Sequence, residues 1–315
     1  MRDSSPKRVA IVGPGALGCL LAATLCRIHE KIWVLDHDSQ RAALLQHSGL
    51  TLECADHLEH FSIQATADAQ EIGPVDLVLL CVKSPALGHT LSSLPPLLRK
   101  NTLLLAWQNG IGHLPVLLGA ELPGALALAV TSLGAHLVGV GQVRFGGAGA
   151  TSLGFLGAPP QWAELALLEA AEVFQAVGLE VGVEADILVQ VWNKLLVNVG
   201  INALTAIHNC ENGGLLKNGE ALALLQAAVL EAASVAQAKG IAIAPEPVAR
   251  TIAVCQATAS NISSMLQDVR ANRQTEIEAI NGAVLEEARR LGIPAPVNAE
   301  LFNAVKCLEK GYLVG

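Results

Sequence analysis

Lys194, Asn198 and Asn202 sit in the stretch VWNKLLVNVGINALTA (residues 191–206), which is otherwise almost wholly apolar. At about 100° of rotation per residue they fall at roughly 0°, 40° and 80°, so one narrow edge of a helix carries all three. Asn193 lies off that edge. An ammonium can stabilise negative charge growing on an oxygen and deliver a proton to it, and short amides can bond a hydroxyl or a carboxylate. The plain alternative is a solvated stripe on an amphipathic helix. Such a stripe usually holds long charged side chains, whereas two of these three are short amides.

A second group lies in NISSMLQDVRANRQTEIEAINGAV (residues 261–284). Asn261, Ser263 and Ser264 are small neutral donors suited to a carboxylate, and Glu276 follows the polar break RANRQ. Taken alone these are helix caps and surface acids. A carboxylate near Lys194 would hold it protonated and oriented, while burial pulls its pKa down.

The third group is the glycine turn GPGALG, with Gly13, Gly15 and Gly18. It follows the β-branched run RVAIV and opens an apolar helical pattern over residues 16–28, the context a dinucleotide fingerprint requires. Glycines let the backbone approach a pyrophosphate, and a helix N-terminus at Ala16, Leu17 and Gly18 supplies amides and partial positive charge. Pro14 contributes no N–H. A bare strand-to-helix turn is the competing reading. Asp36 ends the next strand, where an acid accepts ribose hydroxyls and favours NAD; His37 and Arg41 are cations within reach that would suit NADP instead. Asp36 capping a helix near Ser39 is the third possibility. Lys83 in CVKS and Asn109 in WQNGIG each follow a strand end. The lysine would meet phosphate, ribose or an anionic substrate, and the asparagine would bond near a nicotinamide, unless they are a loop lysine and a turn residue.

The elements that must position these groups alternate. Strands ending at Val12, Asp36, Val82 and Trp107, with helical patterns between them, predict a mainly parallel Rossmann-type sheet whose carboxyl ends face the ligand. Residues 125–156 are glycine-rich with short apolar runs, expected to extend that sheet as antiparallel or mixed strands. From Asp186 the pattern is helical: 186–207, 219–239, 245–266, and segments near 274–291 and 298–311, broken by NGG, by Gly240 with Pro245, and by LGIPAP. The fold class is therefore α/β, with a dinucleotide-binding domain over residues 1–184 and an all-helical substrate and catalytic domain over 185–315.

Composition narrows the classes further. The 315 residues are 52% hydrophobic and 15% charged, with a net charge of −8, and mean hydropathy is +0.45. The longest charge-free stretch, residues 122–143, contains Pro123, Thr131, Ser132, His136 and several glycines, which fit short strands and turns better than a membrane span. The start, MRDSSPKRVAIVG, lacks the apolar core of a secretory signal, and a cytoplasmic protein is expected. No basic run exceeds two residues, which argues against nucleic acid. The seven scattered cysteines form no C-x-x-C pair and read as small buried hydrophobes. The string DHLEH (residues 56–60) reads as a solvated turn rather than a metal site, so no metal is expected. The apolar helices leave room for a homodimer.

GPGALG, CVKS, QNGIG, WNKLLVNVGINALTAI and SSMLQDVRANRQTEIEAINGAV, in this order and spacing, closely resemble the ketopantoate reductase (2-dehydropantoate 2-reductase) family over nearly the whole chain. The resemblance implies reduction of ketopantoate to pantoate with NADPH, a step of pantothenate and coenzyme A synthesis. It makes Lys194 the catalytic acid and Glu276 its essential partner. It places Asn198, Asn202, Asn261 and Ser264 on the substrate, and Lys83 and Asn109 at the junction of cofactor and substrate. One departure is Asp36-His37, where the family commonly has an arginine for the 2′-phosphate; NADH is therefore admitted beside NADPH. Because a ketone reduction leaves charge on oxygen, a helix-borne ammonium answers the chemical need, and the site is expected in an interdomain cleft. The competing readings are a related dehydrogenase for another 2-keto acid, a 3-hydroxy acid or an opine-type substrate, and a dinucleotide sensor without catalysis.

Overall fold

In the computed structural model, residues 8–29 and 31–313 are described. The polar start that precedes the first strand, Met1 to Lys7, lies outside them. The chain divides into two compact units, Met1–Gln108 with Leu118–Ile187, and Asn109–Leu117 with Leu188–Gly315.

The first unit begins β1 (Val9–Val12), α1 (Ala16–Leu25), β2 (Ile32–Leu35), α2 (Ser39–Ser48), β3 (Leu50–Glu53), β4 (Leu58–Phe61), β5 (Gln64–Thr66), α3 (Ala69–Ile72), β6 (Leu77–Leu80), α4 (Leu87–Ser93) and β7 (Leu103–Ala106). After the short α5 (Leu114–Leu118), nearly all of which belongs to the second unit, come β8 (Ala125–Thr131), β9 (Gly134–Gly139), β10 (Gln142–Gly147), β11 (Thr151–Gly154), α6 (Gln161–Ala176) and β12 (Val181–Val183). The main sheet has the order β12-β11-β8-β7-β6-β1-β2-β5, and only the β8–β11 pair is antiparallel. β1, β6 and β7 are buried at every residue, as runs of Val, Ile and Leu must be in a parallel sheet covered on both faces. The strand order reverses at β1, whose neighbours are β2 and β6. The carboxyl ends of β1 and β6 therefore form the crevice where such sheets bind ligands.

The glycine-rich region divides differently from expectation. β8 and β11 extend the main sheet, but β9 and β10 join β3 and β4 in a separate four-stranded sheet. Its pairing of β10 with the distant β3 leaves no trace in local sequence. The charge-free stretch 122–143 is thus made of strands and turns rather than one span.

The second unit contains α7 (Ile187–His208), α8 (Gly219–Ala238), α9 (Pro247–Ala257), α10 (Ser264–Arg270), a π-turn (Glu278–Gly282), α11 (Ala283–Leu291) and α12 (Pro296–Leu313). The single helix expected over 245–266 is in fact α9 and α10, separated by a loop at 258–263. Ser263 stops the run by capping α10, its hydroxyl accepting from Leu266 N at 3.1 Å, as a serine N-cap does. α7 and α8 are long and apolar enough to cross a membrane, but 61% and 44% of their apolar windows are buried inside the protein.

Candidate active site

In the first unit the glycine turn fits a bound phosphate. Gly13 has φ of +93°, and a Cβ there would lie 2.6 Å from Val82 Cγ1 and 2.9 Å from Val82 N. A Cβ on Gly18 would lie 2.2 Å from the Gly13 carbonyl oxygen. These positions exclude side chains, whereas a Cβ on the exposed Gly15 would meet nothing within 4 Å. Gly15 is the N-cap of α1, has no side-chain cap bond, and no acid occupies the first turn. The amides of Ala16, Leu17 and Gly18 therefore form an uncapped, positively polarised helix end suited to an anion. The approach of Gly13 to Val82 also brings the CVKS loop beside the turn, where Lys83 is exposed.

Asp36 lies at the end of β2 but does not cap α2. Asp38 does that, its carboxylate accepting from Gln40 N and Arg41 N at 2.9 Å each. The Asp36 side chain is 1% exposed and is held by Arg41, with Nε to Oδ2 at 2.9 Å and Nη2 to Oδ1 at 2.5 Å. The Arg41 side chain is 44% exposed, and His37, whose Nδ1 is 3.4 Å from Asp36 Oδ1, is more exposed still. The accessible groups at this strand end are thus cationic or titratable.

In the second unit, distant segments meet at one lysine. Lys194 points inward, half-buried on α7, and its Nζ donates to Asn109 Oδ1 at 2.6 Å. Asn109 Nδ2 in turn donates to Glu276 Oε2 at 3.0 Å, and Glu276 is buried. The Asn109 amide orients itself by this arrangement, its oxygen toward the ammonium and its nitrogen toward the carboxylate. Burial brings the Lys194 pKa down from 10.5 to about 8, opposed by the charge of Glu276. That value suits a proton donor working near neutrality.

The loop carrying Asn109 is fixed to the segment carrying Glu276. Ile111 N and Gly112 N both donate to the Ala279 carbonyl, at 3.0 and 3.2 Å. A Cβ on Gly110, whose φ is +78°, would lie 2.1 Å from that oxygen, and one on Gly112 would lie 2.8 Å from Ala279 Cα. The glycines of QNGIG thus permit a close backbone approach to the π-turn, a distortion often found at functional sites. His113 is buried nearby, bonded to the Asn109 backbone. Burial drives its pKa from 6.5 to about 4, the Asn109 bond opposes this, and the Lys194 charge adds to it.

Asn198 is half-buried and Asn202 buried further along the same edge of α7. Neither amide side chain bonds to another described residue. Thr205, on the next turn, meets Ser263 Oγ at 2.7 Å and so ties α7 to the start of α10. Ser264, the first residue of α10, and Asn261, in the loop before it, are both exposed. No bond joins Asn261 or Ser264 to Lys194 or Glu276.

Three relationships escaped sequence reasoning: Asn109 as the bridge between Lys194 and Glu276, Thr205 as the partner of Ser263, and the Arg41 tether on Asp36. The first two span long sequence separations with no local signal; the third had a signal in the Asp36–Arg41 spacing. Near DHLEH, ligand atoms of Cys54, His57 and Glu59 lie within 4.8 Å of one another. Arg27 engages both oxygens of Glu59, at 3.0 and 2.5 Å, and so already balances that carboxylate.

Comparison with known proteins gives a consistent picture. Residues 9–157 match the ketopantoate reductase PanE/ApbA family and residues 186–309 match its C-terminal part. The 2-dehydropantoate 2-reductase of Halobacterium salinarum is 34% identical over 307 residues, covering 96% of this chain and 99% of that protein. The enzyme of the same name from Escherichia coli O157:H7 is 32% identical over 308 residues, covering 97% and 96%. Among solved structures, a PanE/ApbA family ketopantoate reductase from Ralstonia eutropha has a TM-score of 0.88 at 28% identity, covering 97% and 99%. A D-mandelate dehydrogenase solved with NADH and anilino(oxo)acetate has a TM-score of 0.87 at 26% identity, covering 98% and 100%.

Proposed function

Because this chain belongs to the ketopantoate reductase family, we propose that it reduces 2-dehydropantoate to pantoate with a nicotinamide cofactor, NADPH in preference to NADH. The observation that carries the reading is the bonded chain Lys194–Asn109–Glu276, a half-buried acid and its buried partner assembled from three distant segments.

The turn at Gly13, Gly15, Ala16, Leu17 and Gly18, with Lys83 beside it, would hold the cofactor in the first unit. When bound, the reduced nicotinamide supplies a hydride to the ketone carbon. Lys194 faces the charge that then grows on the ketone oxygen, stabilises it and delivers the proton from Nζ. Glu276 keeps that amine protonated against the cost of burial, and Asn109 holds the amine and the carboxylate in one geometry. Asn198 and Asn202 bond the substrate's hydroxyl and carboxylate, with Asn261 and Ser264 completing the polar wall. Residues 1–184, apart from the Asn109 loop that joins the second unit, serve the cofactor, and residues 185–315 the substrate.

The preference for NADPH rests on the end of β2. Asp36 is shielded by its own ion pair, so the group offered outward is the Arg41 guanidinium, with His37 beside it. A 2′-phosphate is met by that cation better than a bare ribose is met by a buried, already paired carboxylate.

The decisive test is the initial rate with 2-dehydropantoate using NADPH and then NADH, with D-mandelate and NAD⁺ as the comparison reaction. Turnover of 2-dehydropantoate that is lost in Lys194→Ala supports the reading. Robust mandelate oxidation without ketopantoate turnover would place the chain with the other 2-keto acid enzymes of this architecture.

A further inference from the structure

Three side chains of α12, spaced three residues apart, bond the segment that carries Glu276. Glu309 Oε1 accepts from both Thr275 N at 2.8 Å and Thr275 Oγ1 at 2.7 Å. The same Thr275 hydroxyl accepts from Ile277 N at 3.2 Å. Lys306 Nζ lies 2.8 Å from Glu309 Oε2 and 2.8 Å from Glu278 Oε1. Tyr312 Oη donates to the Arg273 carbonyl at 3.1 Å.

These bonds take hold on both flanks of Glu276, at Thr275 and at Glu278. Glu309 is 2% exposed, and a carboxylate so placed is costly unless it is paired and hydrogen-bonded. Here the two Thr275 donors satisfy Oε1, and Oε2 is countered by the Lys306 ammonium as an ion pair. Burial by itself would raise the Glu309 carboxyl, but Lys306 and Thr275 bring it below its ordinary value. On the far side the Glu276 carbonyl accepts from Ala279 N and Ile280 N, each at 3.0 Å. A charged network of this kind, with bonds on both flanks of Glu276, restrains the backbone more specifically than apolar packing alone.

We propose that Glu309 and Lys306 are positioning residues for catalysis, a clasp from the terminal helix that holds Glu276 at the distance where it can serve Lys194 through Asn109. The inference rests on the reading of Glu276 as the partner of Lys194. Neither α12 residue touches the reacting groups; both act by fixing the strip from Thr275 to Glu278.

A double-mutant cycle tests it, because coupled residues lose additivity and independent ones do not. Glu309→Ala lowers kcat/KM for 2-dehydropantoate by about 10- to 100-fold in the wild-type background, the scale of a small misplacement near the chemistry. In the Glu276→Ala background the same change costs less than about twofold, since nothing remains to be positioned. Equal losses in both backgrounds, or wild-type kcat/KM in the single variant, overturn the proposal. If Glu309→Ala does not fold, Glu309→Gln, which keeps the shape and an acceptor for Thr275 but abolishes the ion pair, must show a smaller loss that also vanishes in the Glu276→Ala background. If the wild type reduces no 2-keto acid, the functional reading itself has failed. The clasp is then read from the Lys194 pKa, measured by NMR on the Nζ-labelled protein: a fall in Glu309→Ala supports it, and an unchanged value overturns it.

Discussion

The Nζ of Lys194 donates to Oδ1 of Asn109 across 2.6 Å, while the nitrogen of the same amide donates to Glu276. One short side chain thus decides how an ammonium and a carboxylate share a buried space. Replacing it separates two effects. Asn109→Ala removes both bonds, each to a charged group, and lowers kcat/KM by about 10- to 100-fold, the equivalent of roughly 1.5–3 kcal/mol. Asn109→Asp places a second carboxylate against the amine, raising its pKa, but also sets that carboxylate against Glu276. The pH–rate profile separates them: the alkaline limb moves down in Asn109→Ala and up in Asn109→Asp. A limb that moves the same way in both would show that Asn109 does not mediate the protonation of Lys194.

With Lys194 as the proposed proton donor, its titration is expected to set that limb. Its pKa falls from 10.5 to about 8 by burial, against the pull of Glu276. The proton needed for ketone reduction is therefore present below about pH 8, and kcat/KM declines with unit slope above it. Stability runs the opposite way. Between pH 8 and 10.5 the unfolded chain holds a proton that the folded one has released, so the strain of burying the ammonium is relieved as pH rises through this window. Lys194→Arg, which stays charged, abolishes the limb and cuts turnover. A wild-type limb persisting in that variant would assign it to another group.

How much of this could be read from the residues alone differs from group to group. The sheet and its glycine turn were legible because both rest on local patterns: short apolar runs for β1, β6 and β7, and three glycines between strand and helix. The edge of α7 was legible because helical periodicity is local. The clasp on Glu276 was not, since Thr275 and Glu309 are 34 residues apart and a buried acid looks like a surface acid until its partner is known. Turn chemistry is only the alternative reading of Asn109 in the sequence; φ at Gly110 is indeed positive, but the stronger constraint there is the nearby Ala279 carbonyl, which no local signal announces. The second sheet was missed for a similar reason, because β3 and β10 pair across most of the first unit.

His113 predicts a signature at acid pH. Burial, with a smaller push from the Lys194 charge, lowers its pKa from 6.5 to about 4, although its bond to the Asn109 backbone works against the shift. A depressed folded pKa means stability that is full above pH 6.5 and is lost as pH falls toward 4, because the unfolded imidazole takes its proton first. The loss approaches about 3 kcal/mol at the lower end. His113→Gln keeps a donor for the Asn109 backbone and removes the titration. Urea unfolding at pH 7 and pH 4.5 should therefore give a smaller difference in midpoint for the variant than for the wild type. An equal difference would place the acid sensitivity elsewhere.

The ion pair of Asp36 with Arg41 predicts which cofactor suffers when it is broken. Asp36 is enclosed and Arg41 is half-exposed, so the carboxylate's service is to hold the guanidinium at the end of β2. Arg41→Ala removes the cation and frees the acid. NADPH then loses about 10- to 100-fold in affinity, the range of charge-assisted bonds to a phosphate, while NADH binding is unchanged or improves because Asp36 can now reach the ribose hydroxyls. Asp36→Asn keeps the cation but loosens it, and costs NADPH less than Arg41→Ala does. Dissociation constants from nicotinamide fluorescence in the purified protein decide the matter without reference to turnover. An Arg41→Ala protein that binds NADPH as the wild type does would show that the pair merely staples α2 to the strand end.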